Sequence, residues 1–316
     1  MKQLHTNLLQ LIISMVFASS LLAAPATFEK AKIEARQSVY HDRTDAGTTY
    51  CGCSWEWVGR SGGRVDLQSC GYEVRAQDVR AARTEWEHIV PASNFGRARK
   101  CWQDGGRQNC KLVDPVFNLM EADLHNLTPT IGEVNADRSN FNFGMLPGTA
   151  YQHGACDFKV DFKARTAEPR DAVKGMIARV YFYMHDRYDL PMSRQQQQLL
   201  MAWDRQFPVS VWEAERNRRI AAIMGHGNSF VTGERQWSIG HRNTGDGIVS
   251  ELPQAHPVKT IDSPAGKPII GNRNSNIYHL PQGCPSYSKV AVHNQVHFQS
   301  EGEALRQGFR KAKNCR

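Results

Sequence analysis

Two short polar segments of this 316-residue chain contain the residue types that phosphodiester hydrolysis requires. Residues 85–92 read Glu-Trp-Glu-His-Ile-Val-Pro-Ala, and residues 123–135 add Asn126 and Asn135. The histidine, His88, can take a proton from water, and carboxylate or amide oxygens can hold a hard divalent cation. These segments therefore indicate metal-assisted attack of water on a phosphodiester.

The first segment has the composition of a strand over residues 86–90. Neighbouring side chains of a strand point to opposite faces, so Glu87 and His88 would diverge. Both can serve one site only if the strand ends or bends there, and Pro91 favours such a bend.

The second segment predicts the start of a helix. Thr130 and Glu133 have the spacing of a capping box. Asn135 would then lie in the second turn, with Arg138 one turn further on the same side.

The chain between residues 170 and 224 has helical periodicity. Apolar residues recur at helical spacing over residues 170–188, 192–206 and 210–224, and Ser210 and Glu213 form a second capping-box pattern. We therefore predict an α+β fold with a helical second half.

The chain begins with the pattern of an export signal. Lys2 precedes an apolar run over residues 8–22, and small residues follow, so we predict a signal peptide over residues 1–24. A retained N-terminal anchor is the alternative. The formal net charge of +8 at pH 7 favours polyanionic partners but does not choose among them.

Eight cysteines behind an export signal predict disulfides. Cys101 and Cys110 bracket a short polar loop and are expected to pair, whereas most other pairings cannot be deduced. Zinc binding by Cys51 and Cys53 is disfavoured, because one intervening residue is too few for a chelating knuckle. The eight are Cys51, Cys53, Cys70, Cys101, Cys110, Cys156, Cys284 and Cys315.

Several motifs in one order resemble the bacterial endonuclease I family. They lie at residues 50–53, 67–72, 85–92, 101–107, 126–135 and 178–184, and the resemblance covers residues 30–232. Members of that family are periplasmic or secreted nonspecific nucleases with a ββα-metal site. The resemblance implies a nuclease domain over residues 25–234, exported to the periplasm or the medium.

The resemblance also implies a role for each site residue. His88 matches the general base, and Glu87 and Asn135 match the protein ligands of a single Mg²⁺, for which other divalent cations can substitute. Arg107 matches an arginine that steadies the phosphate and leaving group. Asn126 matches an asparagine that orients the histidine.

The expected substrates are double- and single-stranded DNA, and RNA, cut by a monomer with no membrane partner. Basic residues near the motifs would contact phosphates regardless of base. The residues chosen for this role are Arg83, Arg97, Arg99 and Arg138. One departure is Ala214, at a position where the family usually has a cysteine, so one family disulfide is expected to be missing.

The C-terminal region changes character. Residues 235–267 have the composition of a linker, and residues 268–316 form a small basic module that resembles the zinc domain of the Ada methylation-repair protein. Two of its four cysteine positions hold His279 and Ala312, so a Cys284–Cys315 disulfide is favoured over zinc. The module would hold DNA, or alternatively serve stability or surface attachment.

Two rivals remain open. A catalytically silent nucleic-acid-binding protein would share the charge and the C-terminal module, but it would not need the set of catalytic residue types. A zinc metallohydrolase would need several nitrogen or sulfur ligands close together, and the sequence has no HExxH spacing.

Overall fold

The computed structural model describes residues 24–249, 268–298, 301–306 and 309–315. The predicted signal peptide and the predicted linker from residue 250 onward lie outside this part of the chain. The described residues fall into two compact units, the first containing 24–91, 121–184 and 192–241, the second 92–120, 185–191 and the remainder. None of the helices within the described ranges has the length and apolar character needed to cross a membrane.

Helices dominate the later part of the first unit. In chain order the α-helices are α1 Phe28–Glu34, α2 Asp78–Ala81, α3 Ala92–Gly96, α4 Lys100–Gln103, α5 Gly106–Val113, α6 Pro115–Ala122, α7 Gly132–Arg138, α8 Asp171–Arg187, α9 Arg194–Gln206, α10 Val211–Met224, α11 Ser229–Thr232, α12 Asp246–Val249 and α13 Glu301–Arg306. Shorter π and 3₁₀ turns occupy Ala35–Val39, Gln68–Cys70, Leu124–Asn126, Tyr287–Lys289 and Val292–Asn294.

The strands form small separate sheets. They are β1 Trp55–Val58, β2 Gly62–Val65, β3 Thr84–His88, β4 Leu127–Ile131, β5 Asn142–Phe143, β6 Lys159–Asp161, β7 Thr166–Glu168, β8 Ile269–Asn272, β9 Ile277–His279, β10 Gln295–Phe298 and β11 Arg310–Lys311. The sheet orders are β1-β2, β3-β4, β5-β7-β6 and β10-β8-β9-β11. The predicted α+β fold with a helical second half is confirmed.

The three helices predicted from periodicity are α8, α9 and α10. Ser210 caps α10 as expected, because its Oγ accepts the Glu213 N–H at 3.1 Å. The apolar face of α10 contributes Ile220 and Ile223 to a core that also holds Trp86 of β3. This packing ties the helical half of the first unit to the strand that carries His88.

Four disulfides are formed. Cys101–Cys110 and Cys284–Cys315 were predicted, and Cys51–Cys156 and Cys53–Cys70 complete the set. The Cys51–Cys156 bridge encloses both polar segments within one covalent loop.

The predicted linker begins later than its composition indicates. Trp237 is buried and stacks on Phe182, with ring centroids 5.0 Å apart. His241 stacks on Trp237 at 4.2 Å. Residues 235–241 therefore belong to the first unit. The packing of the Trp237 and His241 rings stabilises this segment although its composition is that of a linker.

The predicted C-terminal module has its own small core. Ile269, Tyr278, Phe298, Ala304 and Phe309 are buried together. The parallel pairing of β11 with β9 brings the last cysteine-bearing segment alongside Tyr278.

Candidate active site

The two polar segments meet in an antiparallel strand pair followed by a helix. Glu87 of β3 lies opposite Thr128 of β4, and His88 lies opposite Leu127. Helix α7 follows β4 directly. The contacts of Glu87 and His88 confirm that they point to opposite faces of β3.

His88 is held by a carbonyl and an aromatic ring. Its Nε2 lies 2.8 Å from the backbone oxygen of Glu121. A carbonyl only accepts, so in the neutral imidazole Nε2 carries the proton and the lone pair lies on Nδ1. The ring of Phe28, the first residue of α1, packs 4.7 Å from the imidazole. The residue thus has the tautomer and fixed orientation that a general base requires.

Asn126 fixes the end of β3. Its Oδ1 accepts the Val90 N–H at 2.7 Å, and its Nδ2 donates to the Val90 oxygen at 2.9 Å. The side chain is fully buried. Asn126 therefore acts on the backbone two residues after His88, so any orientation of the imidazole by Asn126 is transmitted through that backbone.

Glu87 lies inside the protein beside Arg138. Its Oε1 accepts from Arg138 Nη1 at 2.8 Å and from the Tyr50 hydroxyl at 3.0 Å. Burial raises the pKa of Glu87, and the Arg138 charge offsets this only in part. Arg138 therefore compensates the negative charge of the buried Glu87 carboxylate only in part.

Arg138 has a different role from the phosphate contact that the sequence predicted. Its guanidinium is 0% exposed and also donates to the backbone oxygens of His88 at 2.9 Å and Ile89 at 2.5 Å. Because these donors are used inside the protein, Arg138 positions β3 and does not meet solvent.

Asn135 lies one turn before Arg138 and contacts a different carboxylate. Its Nδ2 donates to Glu85 Oε2 at 2.9 Å. Burial opposes ionisation of Glu85, but hydrogen bonds from Arg80 and Arg83 outweigh it and lower the pKa of that carboxyl. Glu85 and Glu87 alternate with Trp86, so they share the face of β3 that α7 covers.

The capping-box prediction for α7 was wrong. Thr130 is buried within β4, and Ile131 is the N-cap residue, with no side-chain cap. The Glu133 carboxylate instead accepts the backbone N–H groups of residues 75–77 and the Tyr72 hydroxyl. Gly132 permits the close approach, because a Cβ there would lie 2.6 Å from the Arg80 oxygen.

The remaining predicted arginines are divided between the two units. Arg83 belongs to the first unit, is half exposed and pairs with Glu85. Arg97, Arg99 and Arg107 belong to the second unit. Arg97 is exposed, Arg99 binds Asp114 through two hydrogen bonds, and Arg107 is the second residue of α5. Their contact with nucleic acid stays a prediction.

The donor atoms fit a hard divalent cation. The bonds of Glu87 are made through Oε1, and Asn135 donates through its nitrogen, so Oε2 of Glu87 and Oδ1 of Asn135 are the atoms suited to a metal. Mg²⁺ takes oxygen ligands and keeps several waters, so two protein oxygens suffice. A cation would also supply the positive charge that buried Glu87 lacks.

Sequence reasoning missed four contributors to this site. Glu85 and Phe28 could have been suspected, the first from its alternation with Glu87. The Glu121 carbonyl and Tyr50 carry no local signal, because only the tertiary fold brings them to His88 and Glu87.

A strand pair that carries Glu87 and His88, followed by a helix that carries Asn135, has the order of elements of a ββα-type hydrolytic site. The Endonuclease I family model matches residues 27–234, and this chain belongs to that family.

Named relatives share most of that region. An extracellular deoxyribonuclease of Aeromonas hydrophila is 49% identical over 206 residues, covering 65% of this chain and 88% of the relative. A periplasmic deoxyribonuclease of the same species is 44% identical, covering 71% and 93%. An extracellular ribonuclease of Bacillus subtilis is 30% identical over a shorter stretch, covering 37% and 45%.

A buried histidine next to this site predicts acid sensitivity. Burial lowers the pKa of His125 from 6.5 to about 3, so the folded protein keeps this imidazole neutral while the unfolded chain protonates. Stability is therefore complete above pH 6.5 and falls as the pH drops towards 3. Between pH 7 and pH 5, protonation of His125 in the unfolded chain should lower the free energy of unfolding of the wild type by about 2 kcal/mol. His125→Gln should not show this part of the loss.

The measurement is urea unfolding of the disulfide-intact protein at both pH values. His41→Gln, at a half-exposed histidine, is the control for the same substitution made at the surface. Equal pH dependence in wild type and His125→Gln would contradict the assignment.

Proposed function

We propose that the protein is an exported, sequence-nonspecific endonuclease that hydrolyses DNA, and also RNA, with one Mg²⁺ and His88 as general base. Family membership and the deoxyribonuclease and ribonuclease names of its relatives support the reaction class. The observation that carries the mechanism is the His88 Nε2 contact with the Glu121 carbonyl, 2.8 Å long, which leaves Nδ1 as the basic atom.

Each side chain has a defined task in this proposal. His88 Nδ1 takes a proton from the attacking water. Glu87 and Asn135 would hold the metal, and Arg107 would donate to the phosphate as the family resemblance implies. A bound Mg²⁺ supplies charge stabilisation of the phosphoryl and leaving oxygens. Asn126 and Arg138 keep the end of β3 in place.

Lack of base specificity follows from the type of contact expected. Exposed arginines such as Arg97 and the half-exposed Arg83 would bind phosphates, which carry no sequence information. Binding should therefore weaken with salt to a similar degree for unrelated sequences.

The test is nicking of supercoiled plasmid by the oxidised, signal-free protein, with Mg²⁺ or with EDTA. Cutting only with the metal supports the proposal. DNA retention without cutting would identify the protein as a silent binding protein instead. Cutting that persists in EDTA would remove the metal from the mechanism.

The metal ligands can be tested separately from the base. Asn135→Ala should raise the Mg²⁺ concentration for half-maximal nicking by roughly tenfold or more, because one of two protein ligands is lost. Asn140→Ala is the matched control, because the amide oxygen of Asn140 accepts a hydrogen bond from Arg165. Equal Mg²⁺ requirements for the two variants would exclude Asn135 as a ligand.

Phe28 should support catalysis through its contact with His88. Phe28→Ala removes the ring that packs on the imidazole, and we expect nicking to fall about tenfold because the base loses its fixed orientation. Phe28→Leu should recover most of this activity. Phe162→Ala is the control, since Phe162 is 46% exposed. Wild-type activity in Phe28→Ala would contradict a positioning role.

A further inference from the structure

The C-terminal module brings a histidine and two cysteines together. His279 ends β9, and one ligand atom from each of His279, Cys284 and Cys315 lies within 4.8 Å of the others. In the oxidised protein the two cysteines form a disulfide.

One of the two ring nitrogens of His279 has no hydrogen-bond partner within the described part of the chain. His279 is 8% exposed, and its Nδ1 is buried with no partner among the described residues. An unpaired buried nitrogen costs free energy, so its retention beside two sulfurs calls for an explanation. A metal ion would use the lone pair of that nitrogen.

One of the two cysteine sulfurs already accepts a hydrogen bond from the backbone. The Leu280 N–H donates to Cys284 Sγ at 2.9 Å, and the turn before Cys315 is closed by its N–H to the Ala312 oxygen at 3.0 Å. The Leu280 N–H would hold a Cys284 thiolate in place and offset part of its charge.

The surroundings admit a neutral metal complex. His279 lines a surface cavity of ≈ 460 Å³ together with Arg310, Lys311 and Lys313. Two thiolates and a divalent cation carry no net charge, so this basic surface does not oppose them. Zinc with three protein ligands keeps a fourth position for water or another ligand, and the cavity reaches one of the three, His279.

We propose that, once the Cys284–Cys315 disulfide is reduced, His279, Cys284 and Cys315 form a three-ligand site for a soft divalent cation of the zinc type. A dithiol reductant gives two electrons and two protons to the disulfide and becomes a cyclic disulfide. The cation then binds two thiolates and one imidazole nitrogen, and two thiol protons are released. Ligand atoms around tetrahedral zinc lie roughly 3.3–3.8 Å apart, so the two sulfurs must separate once their bond is broken. One nitrogen of His279 already lies within 4.8 Å of both sulfurs. The inference does not depend on nuclease activity.

The test uses Co²⁺ as a spectroscopic probe on the full signal-free chain, reduced with a dithiol and desalted without oxygen. Reduced wild type should bind one more Co²⁺ than reduced Cys284→Ser/Cys315→Ser, with the strong visible bands of a tetrahedral thiolate site. The double variant accounts for cobalt bound to the other six cysteines. Oxidised wild type should show none of these bands.

Histidine variants test the third ligand. His279→Ala should weaken Co²⁺ binding on the order of tenfold or more, whereas His297→Ala, at an exposed histidine of the same module, should not. Equal cobalt binding by reduced wild type and the double-cysteine variant would overturn the site. Wild-type affinity in His279→Ala would overturn the three-ligand set.

A second readout avoids variants that fail to fold. Zn²⁺ added to reduced wild type should protect Cys284 and Cys315 from alkylation, as measured by peptide mass spectrometry. Alkylation of both cysteines at the same rate with and without Zn²⁺ would contradict the proposal.

Discussion

Replacing His88 by alanine is expected to lower Mg²⁺-dependent plasmid nicking on the order of 10³-fold, because the attacking water loses its proton acceptor. Added imidazole should restore part of the activity by entering the space that the side chain vacates. His88→Gln should stay as inactive as the alanine variant, since its amide nitrogen can take the position of Nε2 and contact the Glu121 carbonyl but cannot act as a base. Single-turnover nicking rates at saturating Mg²⁺ provide the measurement.

The control must separate chemistry from folding. His41→Ala removes a half-exposed imidazole and should keep wild-type activity. Unfolding midpoints and DNA retention of the His88 variants should show a folded, binding-competent protein. Activity within tenfold of wild type in His88→Gln would remove His88 from the role of general base.

Replacing Arg138 by methionine is expected to destabilise the metal-free protein by about 3–5 kcal/mol, because it leaves a buried carboxylate without its partner. Glu87 and Arg138 are bonded at 2.8 Å, and their side chains are 4% and 0% exposed. Glu87→Gln/Arg138→Met should lose less stability than the sum of the single changes, since neither charge then remains unpaired. Urea unfolding in EDTA measures all of these variants.

The stability deficit of Arg138→Met should depend on pH in a defined direction. Without Arg138 the pKa of Glu87 should rise further above its unfolded value, since burial already raises it. The deficit of Arg138→Met relative to wild type should therefore shrink as the pH falls and Glu87 takes up a proton. Arg165→Met, at an exposed arginine, should stay within about 0.5 kcal/mol of wild type. A pH-independent deficit would mean that lost packing, and not an unpaired charge, dominates.

Local patterns predicted the strand of Glu87 and His88 and the three long helices. In each case the apolar period and the direction of the side chains are properties of the segment itself. The opposite orientation of Glu87 and His88 follows from strand geometry alone. The roles proposed for the site residues rest on the family resemblance, because composition and spacing could not provide them.

Predictions failed where distant groups compete for a side chain. Glu133 has the spacing of a capping residue, but three backbone N–H groups from residues 75–77 take its carboxylate. Arg138 has the sequence context of a surface arginine, yet it is buried because it bonds Glu87 and the carbonyls of His88 and Ile89. Trp237 lies in a segment with linker composition, and Phe182 provides the surface that buries it. None of these partners is adjacent in sequence.

The Cys51–Cys156 bridge bears on survival in the periplasm or outside the cell, where the chain can meet proteases. It joins residues 105 positions apart, and the chain between them carries exposed positions such as Met145 and Tyr151. One peptide bond cut by a protease in that interval leaves both fragments attached through sulfur. The nicked molecule therefore keeps β3, β4 and α7 in one covalent assembly, so a single cleavage need not release any part of the site.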